Sequence, residues 1–142
     1  MKLSTRGRYG TRLMVELAKH YGKGPITVGT ISKNQNIPIK YLEQIIIPLK
    51  RAKLIKSVRG PKGGHMLSES PENINVWQIL SVAEGKLSLI DCVVDDKACE
   101  SSAECPIRPI WGEAYASMRR IFEETSLKSV INRSKKLLKY SS

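Results

Sequence analysis

The chain has 142 residues, of which 41% are hydrophobic, and it carries a formal net charge of +11. A chain of this length can bury one core, or a small domain with an extension. It has no apolar run near the roughly 18 residues of a membrane span and no secretory signal at its start, so we expect a cytoplasmic protein without a membrane partner. The three cysteines, an odd number, fit a reducing compartment.

The charge is distributed unevenly along the chain. Residues 1–67 contain 14 Lys and Arg but only two carboxylates, Glu16 and Glu43, a net charge of +12 (14 − 2). Residues 68–142 contain 10 basic and 11 acidic residues, a net charge of −1. A basic half of this kind indicates a polyanionic partner, and nucleic acid is the first choice. A membrane surface is the weaker alternative, because this half has no basic amphipathic helix with a Trp or Phe face.

Three helices are predicted in the basic half. The first covers residues 6–21 and is closed by Gly22, and the second is short and capped by Thr27. The third covers residues 38–52 and contains Pro48, which should kink or end it. The apolar spacing places these residues inward: Tyr9, Leu13, Met14, Leu17, Ala18 and Tyr21 in the first helix, Val28 and Ile31 in the second, and Ile39, Leu42, Ile46 and Leu49 in the third.

A β-hairpin is predicted directly after the third helix. The run "LIKSVRG" is typical of a strand, "GPKGG" of a turn and "HML" of a returning strand. Three helices followed by a hairpin predict a mainly α fold with a winged helix-turn-helix domain. The alternative for "GPKGG" is a tight turn without a function, and its spacing does not match a phosphate-binding P-loop.

The predicted fold indicates which side chains would contact double-stranded DNA. The N-terminal half of the third helix can enter a major groove, and the glycines of the hairpin, or wing, let its backbone approach phosphates. Arg59 can reach into the minor groove. The candidate DNA-binding residues are Lys40, Tyr41, Glu43 and Gln44 in the helix, and Arg59, Lys62, Gly63 and Gly64 in the wing.

The second half is predicted to contain a helix over residues 76–84 capped by Asn75, an acidic loop, and a long helix over residues 109–125. The long helix has two apolar rows: Trp111, Tyr115, Met118, Phe122 and Thr125 in one, and Ile110, Ala114 and Ile121 in the other. Because one small core needs only one row, the second indicates a homodimer, although a helix buried within one chain is the alternative. We therefore divide the chain into a DNA-binding domain (1–84), a cysteine-bearing loop (85–106), and a dimerisation helix with a tail (107–142).

The cysteines Cys92, Cys99 and Cys105 form a C-x6-C-x5-C pattern in the acidic loop. Structural zinc usually requires closer pairs and four ligands, so zinc fits poorly. An iron-sulfur cluster accepts longer loops and soft thiolates, with a fourth ligand from elsewhere. Free thiols and a redox switch are the alternatives, and the spacing alone does not choose among them.

Three stretches resemble a bacterial family of winged-helix regulators that includes the iron-sulfur assembly regulator (IscR), the nitric-oxide sensor (NsrR) and the cysteine-metabolism repressor (CymR). They are "STRGRYG", "IPIKYLEQIIIPLKRAKLIKSVRGPKGGHML", and the cysteine loop with "RPIW". The resemblance implies a homodimer paired through the long helix, with Glu43, Gln44 and Arg59 at DNA-contacting positions. It also implies that the three cysteines bind a cluster, with [2Fe-2S] preferred to [4Fe-4S].

Two departures from the family pattern concern the fourth ligand of that cluster. Arg108 stands where the IscR pattern has a histidine, and Arg8 where the NsrR pattern has an aspartate. An arginine does not coordinate a metal, so the resemblance does not supply the fourth ligand.

We therefore predict a homodimeric, sequence-specific transcription regulator, a repressor, that senses iron-sulfur or redox status through the cluster. The alternative is a cluster-free regulator of the same fold, controlled by a partner protein or small molecule. We expect no enzymatic activity and no small-molecule substrate, because the chain has no paired catalytic carboxylates, no nucleophile with a base and no nucleotide fingerprint.

Overall fold

The computed structural model describes the backbone of residues 2–141 and the side chains of residues 2–137. Seven helices and one two-stranded antiparallel sheet make up this part of the chain. In chain order they are α1 (Thr5–Lys19), α2 (Val28–Gln35), α3 (Ile39–Arg51), β1 (Ile55–Val58), β2 (Gly64–Leu67), α4 (Val76–Glu84), α5 (Asp91–Val94), α6 (Arg108–Glu124) and α7 (Leu127–Ser141). No helix in the described part combines the length and apolar character that crossing a bilayer requires.

Helix α1 is the central helix of the core. The Ser4 hydroxyl caps it by accepting a hydrogen bond from the Gly7 amide at 3.1 Å. Its buried apolar face contains Leu13, Met14, Leu17 and Ala18, as predicted. The helix ends at Lys19, two residues earlier than predicted, and Tyr21 lies beyond it with 46% of its surface exposed. The prediction that Tyr21 lies in the core is therefore wrong, because the helical spacing no longer applies past Lys19.

Helices α2 and α3 form the helix-turn-helix. Thr27 caps α2 as predicted, and the helix ends at Asn36, whose left-handed backbone (φ 54°) turns the chain toward α3. The buried residues of α3 are Leu42, Ile45, Ile46 and Leu49. The predicted inward position of Ile39 is wrong: it is 45% exposed, because it occupies the first turn, where the helix projects beyond the core.

Pro48 does not end α3, which continues to Arg51. A proline lacks the amide that would bond to the carbonyl four residues earlier. Here it stands in the last turn of the helix, so only one bond near the helix end is lost. The chain then leaves α3 through Leu54, whose amide donates to the Leu49 carbonyl at 3.0 Å.

The hairpin after α3 pairs Ile55 with Leu67 and Val58 with Gly64. A third segment joins it, because Ile26 and His65 exchange two backbone hydrogen bonds of 2.9 and 2.8 Å. The wing is thereby attached to the chain just before α2. This attachment ties the wing to the helix-turn-helix through the backbone.

The second half packs on the same core through α4 and α7. Asn75 and Gln78 form a reciprocal capping box at the start of α4, which confirms the predicted cap. Gly85 ends that helix with φ 77°. Leu127 and Ile131 of α7 belong to the core cluster that also contains the buried residues of α1 and α3.

Candidate nucleic-acid interface and the cysteine loop

The outer face of α3 presents polar side chains to solvent. Lys40, Glu43 and Gln44 are exposed, as expected for residues that contact bases or phosphates. Tyr41 is half-buried, because its ring packs edge-on against Tyr9 with 5.2 Å between ring centroids. Tyr41 therefore uses part of its surface to hold α3 against α1.

The wing tip carries both predicted cations on its surface. Val58, Arg59, Gly60, Pro61 and Lys62 are all exposed, so the hairpin is not packed beneath the second half of the chain. Its turn is closed by a hydrogen bond of 2.9 Å from the Gly63 amide to the Gly60 carbonyl. The tip is thus free to contact a partner.

Gly63 and Gly64 have a structural role in the wing. A Cβ atom at Gly63 would lie 2.1 Å from the Val58 carbonyl oxygen, inside the turn. At Gly64 it would lie 2.5 Å from the Ile26 carbonyl oxygen, and the backbone there has φ 152°. Both positions therefore require glycine for the fold itself, apart from any approach to phosphates.

The two carboxylates of the basic half lie in different environments. Glu16 is buried, with 4% of its surface exposed, and accepts hydrogen bonds of 2.7 Å from the amide groups of Asn34 and Gln35. Glu43 is exposed on α3. The accessible surface of residues 2–67 consequently has many cations and one exposed carboxylate. This carboxylate, Glu43, stands on α3, the predicted recognition helix.

His65 lies on β2, the second strand of the wing. Its Nδ1 atom is 2.8 Å from the Ser57 hydroxyl on the paired strand. Burial lowers the pKa of the His65 imidazole from its usual 6.5, the Lys50 ammonium lowers it further, and the Glu43 carboxylate raises it. The influence of both α3 residues on one wing side chain shows that wing and recognition helix are electrostatic neighbours.

Sequence reasoning missed three exposed apolar side chains on this side of the molecule. Ile39 and Ile47 on α3 are 45% and 56% exposed, and Val58 on the wing is 44% exposed. Apolar contacts with thymine methyl groups are one way of reading a major groove. The helical spacing does predict that Ile47 is exposed, since it lies four residues after Glu43 and three after Gln44.

The two apolar rows of α6 differ in how far they are exposed to solvent. None of its 17 residues is buried. Tyr115, Met118 and Phe122 are half-buried, and the Tyr115 ring packs edge-on against Trp77 of α4 with 6.2 Å between centroids. In the second row, Ile110 and Ile121 are 51% and 57% exposed. Most of the first row faces the chain's own α4, while Trp111 at its start is 38% exposed, and the second row faces solvent.

The three cysteines are not brought together. Cys92 is buried on the short helix α5, Cys99 is exposed and Cys105 is half-buried, and all three are free thiols. No group of three or more His, Cys, Asp or Glu side chains in the described residues is arranged to hold a metal ion. In this arrangement the cysteine loop does not fit an iron-sulfur cluster.

Arg108 organises the cysteine loop. Its Nε and Nη2 atoms donate to the Cys92 carbonyl at 3.1 and 3.0 Å, and its Nη1 atom donates to the Ser102 carbonyl at 3.3 Å. It also forms an ion pair with Asp96. One guanidinium therefore links three points of the loop to the start of α6, from the position where the resemblance had placed a histidine ligand.

The helix-turn-helix, the attached hairpin with its exposed cations and the basic surface define a winged-helix DNA-binding protein. The Rrf2 family, described as "Iron-dependent Transcriptional regulator", matches residues 3–133. The chain belongs to this family of transcriptional regulators. The predicted fold class and the family resemblance are thereby confirmed.

The relatives include regulators named CymR and regulators named IscR. The HTH-type transcriptional regulator CymR of Bacillus subtilis is 35% identical over 130 residues, which are 92% of this chain and 89% of that protein. The solved structure of B. subtilis CymR, described as the global cysteine regulator, has a TM-score of 0.81 at 33% identity, covering 94% of this chain and 98% of that one. The T. potens IscR structure has a TM-score of 0.80 at 31% identity, with coverages of 96% and 90%. These relatives confirm a regulator rather than an enzyme.

Proposed function

We propose that the chain acts as a homodimeric, sequence-specific repressor that binds operator DNA in the bacterial cytoplasm. The observation that carries this proposal is the joined surface of α3 and the wing, where exposed cations surround a single exposed carboxylate. A phosphate backbone favours such a surface, and base edges are read by the few side chains on the helix that enters the groove.

Each side chain of this surface has a distinct proposed role. Gln44 pairs with adenine and Glu43 accepts from the amino group of cytosine, while Lys40 contacts phosphate or guanine. Ile39 and Ile47 contact thymine methyl groups. A carboxylate on a phosphate-binding face is repelled by most of the duplex, so Glu43 is a residue for specificity rather than for affinity.

The wing contributes minor-groove contacts. Arg59 inserts into the groove, whose negative potential attracts a guanidinium, and Lys62 contacts the flanking phosphate. The backbone at Gly63 and Gly64 follows the same phosphates.

The test of DNA binding begins with duplexes selected from a random pool, because such a selection finds the preferred operator sequence directly. Fluorescence anisotropy then compares the wild type with Arg59→Ala and with Arg133→Ala, which removes the same charge from an exposed position on α7. We expect Arg59→Ala to lose at least roughly fivefold in affinity, since one good arginine contact contributes about 1–3 kcal/mol. Arg133→Ala should stay within about twofold. Equal losses in both variants would contradict the assignment of the wing.

The dimer is proposed to form through the exposed row of α6. Ile110, Ala114, Ser117 and Ile121 follow each other at spacings of four, three and four, and the small residues in the middle allow two helices to approach closely. A second copy is the simplest partner for such a row, because a two-fold interface uses the same patch twice. It would also present two reading heads to paired half-sites.

For signal sensing, the relatives include both CymR and IscR regulators, and we propose the cluster-free alternative. The loop is held by Arg108 through backbone carbonyls and Asp96, an arrangement that requires no thiolate ligand. The three cysteines differ in burial and do not converge. We therefore propose control by a small molecule or a partner protein, with the division of the chain into residues 1–84, 85–106 and 107–142 retained.

Anaerobic purification tests this choice. We expect a colourless protein with far less than one iron per chain, unchanged in Cys92→Ala, because the thiols of the wild type hold no metal. Ser101→Ala, at an exposed residue of the same loop that is not a candidate ligand, serves as the control. A brown protein with stoichiometric iron and sulfide, whose absorbance disappears in Cys92→Ala, would replace the cluster-free proposal with the cluster-binding one.

A further inference from the structure

A cleft of about 600 Å³ lies between the C-terminal end of α1, the 3-10 turn Pro71–Asn73 and helix α7. Four lysines line it: Lys19 and Lys23 from the α1 end, and Lys128 and Lys135 from α7. This cleft is separate from α3, from the wing and from the cysteine loop. Nothing in the DNA-binding proposal uses it.

The cleft has an excess of positive charge without internal compensation. None of the four lysines forms an ion pair among the described residues. The single carboxylate that lines the cleft, Glu72, is exposed and leaves a net charge of +3 (4 − 1). All four lysines are exposed, and like charges that line one cleft repel each other, so an anion bound among them is favoured.

The cleft also has apolar walls. Ile131 and Pro71, both buried residues, contribute to its lining. A volume of this size falls in the range of sites for small organic ligands. It corresponds to a cube with edges of about 8 Å, which is narrower than a duplex whose major groove alone is roughly 12 Å wide, so a duplex does not enter it.

We propose that this cleft binds a small organic polyanion, such as a di- or tricarboxylate or a phosphorylated metabolite, and that this ligand controls the regulator. The inference rests on the proposed cluster-free function and names the ligand class for it. Charged groups of the ligand pair with lysines of both elements, and its carbon skeleton contacts Ile131 and Pro71.

The position of the cleft suggests how occupancy would reach DNA. Helix α7 follows α6 after two residues, and this junction is tied to the start of α4 by the bonds from Val76 to Thr125 and from Leu127 to Ile74, each 2.9 Å. A ligand that bridges α1 and α7 therefore couples the DNA-binding half to the proposed dimer helix. Two sites coupled in this way influence each other reciprocally.

The test is isothermal titration of the intact protein with citrate and with pyrophosphate at constant ionic strength, with acetate as the monovalent control. Lys19→Gln/Lys128→Gln removes one lysine from each wall of the cleft. Lys33→Gln/Lys97→Gln removes the same charge at exposed positions elsewhere. We expect the cleft variant to bind at least one polyanion roughly tenfold more weakly and the control variant to stay within about twofold. The preferred probe distinguishes carboxylate from phosphate ligands.

Three results would overturn the proposal: no binding of either polyanion, an equal loss of affinity in both variants, or acetate binding as tightly as the polyanions. Circular dichroism melting checks that both variants are folded. Anisotropy with the selected duplex separates this outcome from the proposed function. Duplex binding without polyanion binding overturns the cleft alone, and polyanion binding without duplex binding overturns the repressor. If both occur, the bound polyanion should change duplex affinity in the wild type and have less effect in the cleft variant.

Discussion

At the scale of single residues, His65 shows how a wing is fitted to its recognition helix. The backbone of His65 forms hydrogen bonds with Ile26, and its ring contacts the Ser57 hydroxyl. Burial is the largest cause that lowers the pKa of the imidazole, and the Lys50 ammonium is the next. The folded state therefore binds fewer protons at this site than the unfolded chain does just below pH 6.5. The free energy of unfolding must fall as pH decreases through this window.

We accordingly predict that the wild type loses stability between pH 7 and pH 5, and that His65→Gln loses less, because glutamine does not titrate. Urea unfolding of both proteins at the two pH values measures the effect. The same pH dependence in both would show that protonation of His65 does not oppose folding.

Glu16 is an acidic residue that the fold buries. It counts toward the charge of the basic half, yet it is buried against two side-chain amides of α2, those of Asn34 and Gln35. The position could have been suspected, since Glu16 lies three residues after Leu13 and beside Leu17 on the inner face. Its hydrogen-bond partners could not, because they come from a helix some 18 residues away in sequence.

At the scale of elements, α6 is the helix through which we propose that two copies pair. Its exposed row leaves Ile110 and Ile121 more than half accessible to water. Full burial of an isoleucine side chain contributes about 1.5–3 kcal/mol, so covering the exposed half of each would contribute roughly half of that per residue.

We predict that Ile121→Glu converts the dimer to a monomer, because each interface would bury an unpaired charge from each copy. Sedimentation equilibrium should give about 32 kDa for the wild type, twice the chain mass of 15.9 kDa, and about 16 kDa for the variant. Ala116→Glu, on an exposed side of α6 away from the row, is the control and should remain dimeric. A monomeric wild type would contradict the interface.

At the scale of the whole molecule, the charge asymmetry and the fold together determine how the protein meets DNA. The basic half contains α1 to α3 and the wing, whereas the nearly neutral half contains the cysteine loop and α6. Binding to a polyanion through one half releases counterions from DNA, so affinity must fall as salt rises.

We predict that the logarithm of the binding constant falls linearly with the logarithm of salt concentration, with a slope of about −0.9 per neutralised phosphate. Lys62→Gln should make the slope less steep by about 1.8 for a dimer, since both copies lose one contact. Lys97→Gln, an equal change of charge in the cysteine loop, should leave the slope unchanged. Titrations by anisotropy between roughly 50 and 200 mM salt measure it. Equal changes in both variants would mean that only the net charge matters.

The amino-acid sequence by itself determined α1 to α4 with the wing, the caps at Thr27 and Asn75, and α6 with its two rows. These depend on local spacing, on capping chemistry and on glycine, which act over a few residues. The sequence predicted only a loop where α5 lies and a tail where α7 lies. Only the tertiary structure decided that Ile39 is exposed and Ile45 buried, that Glu16 is hidden, and that Arg108 holds the cysteine loop while the three thiols stay apart. Each of these depends on contacts between groups distant in the chain, whose approach is determined by how the elements pack together rather than by their periodicity.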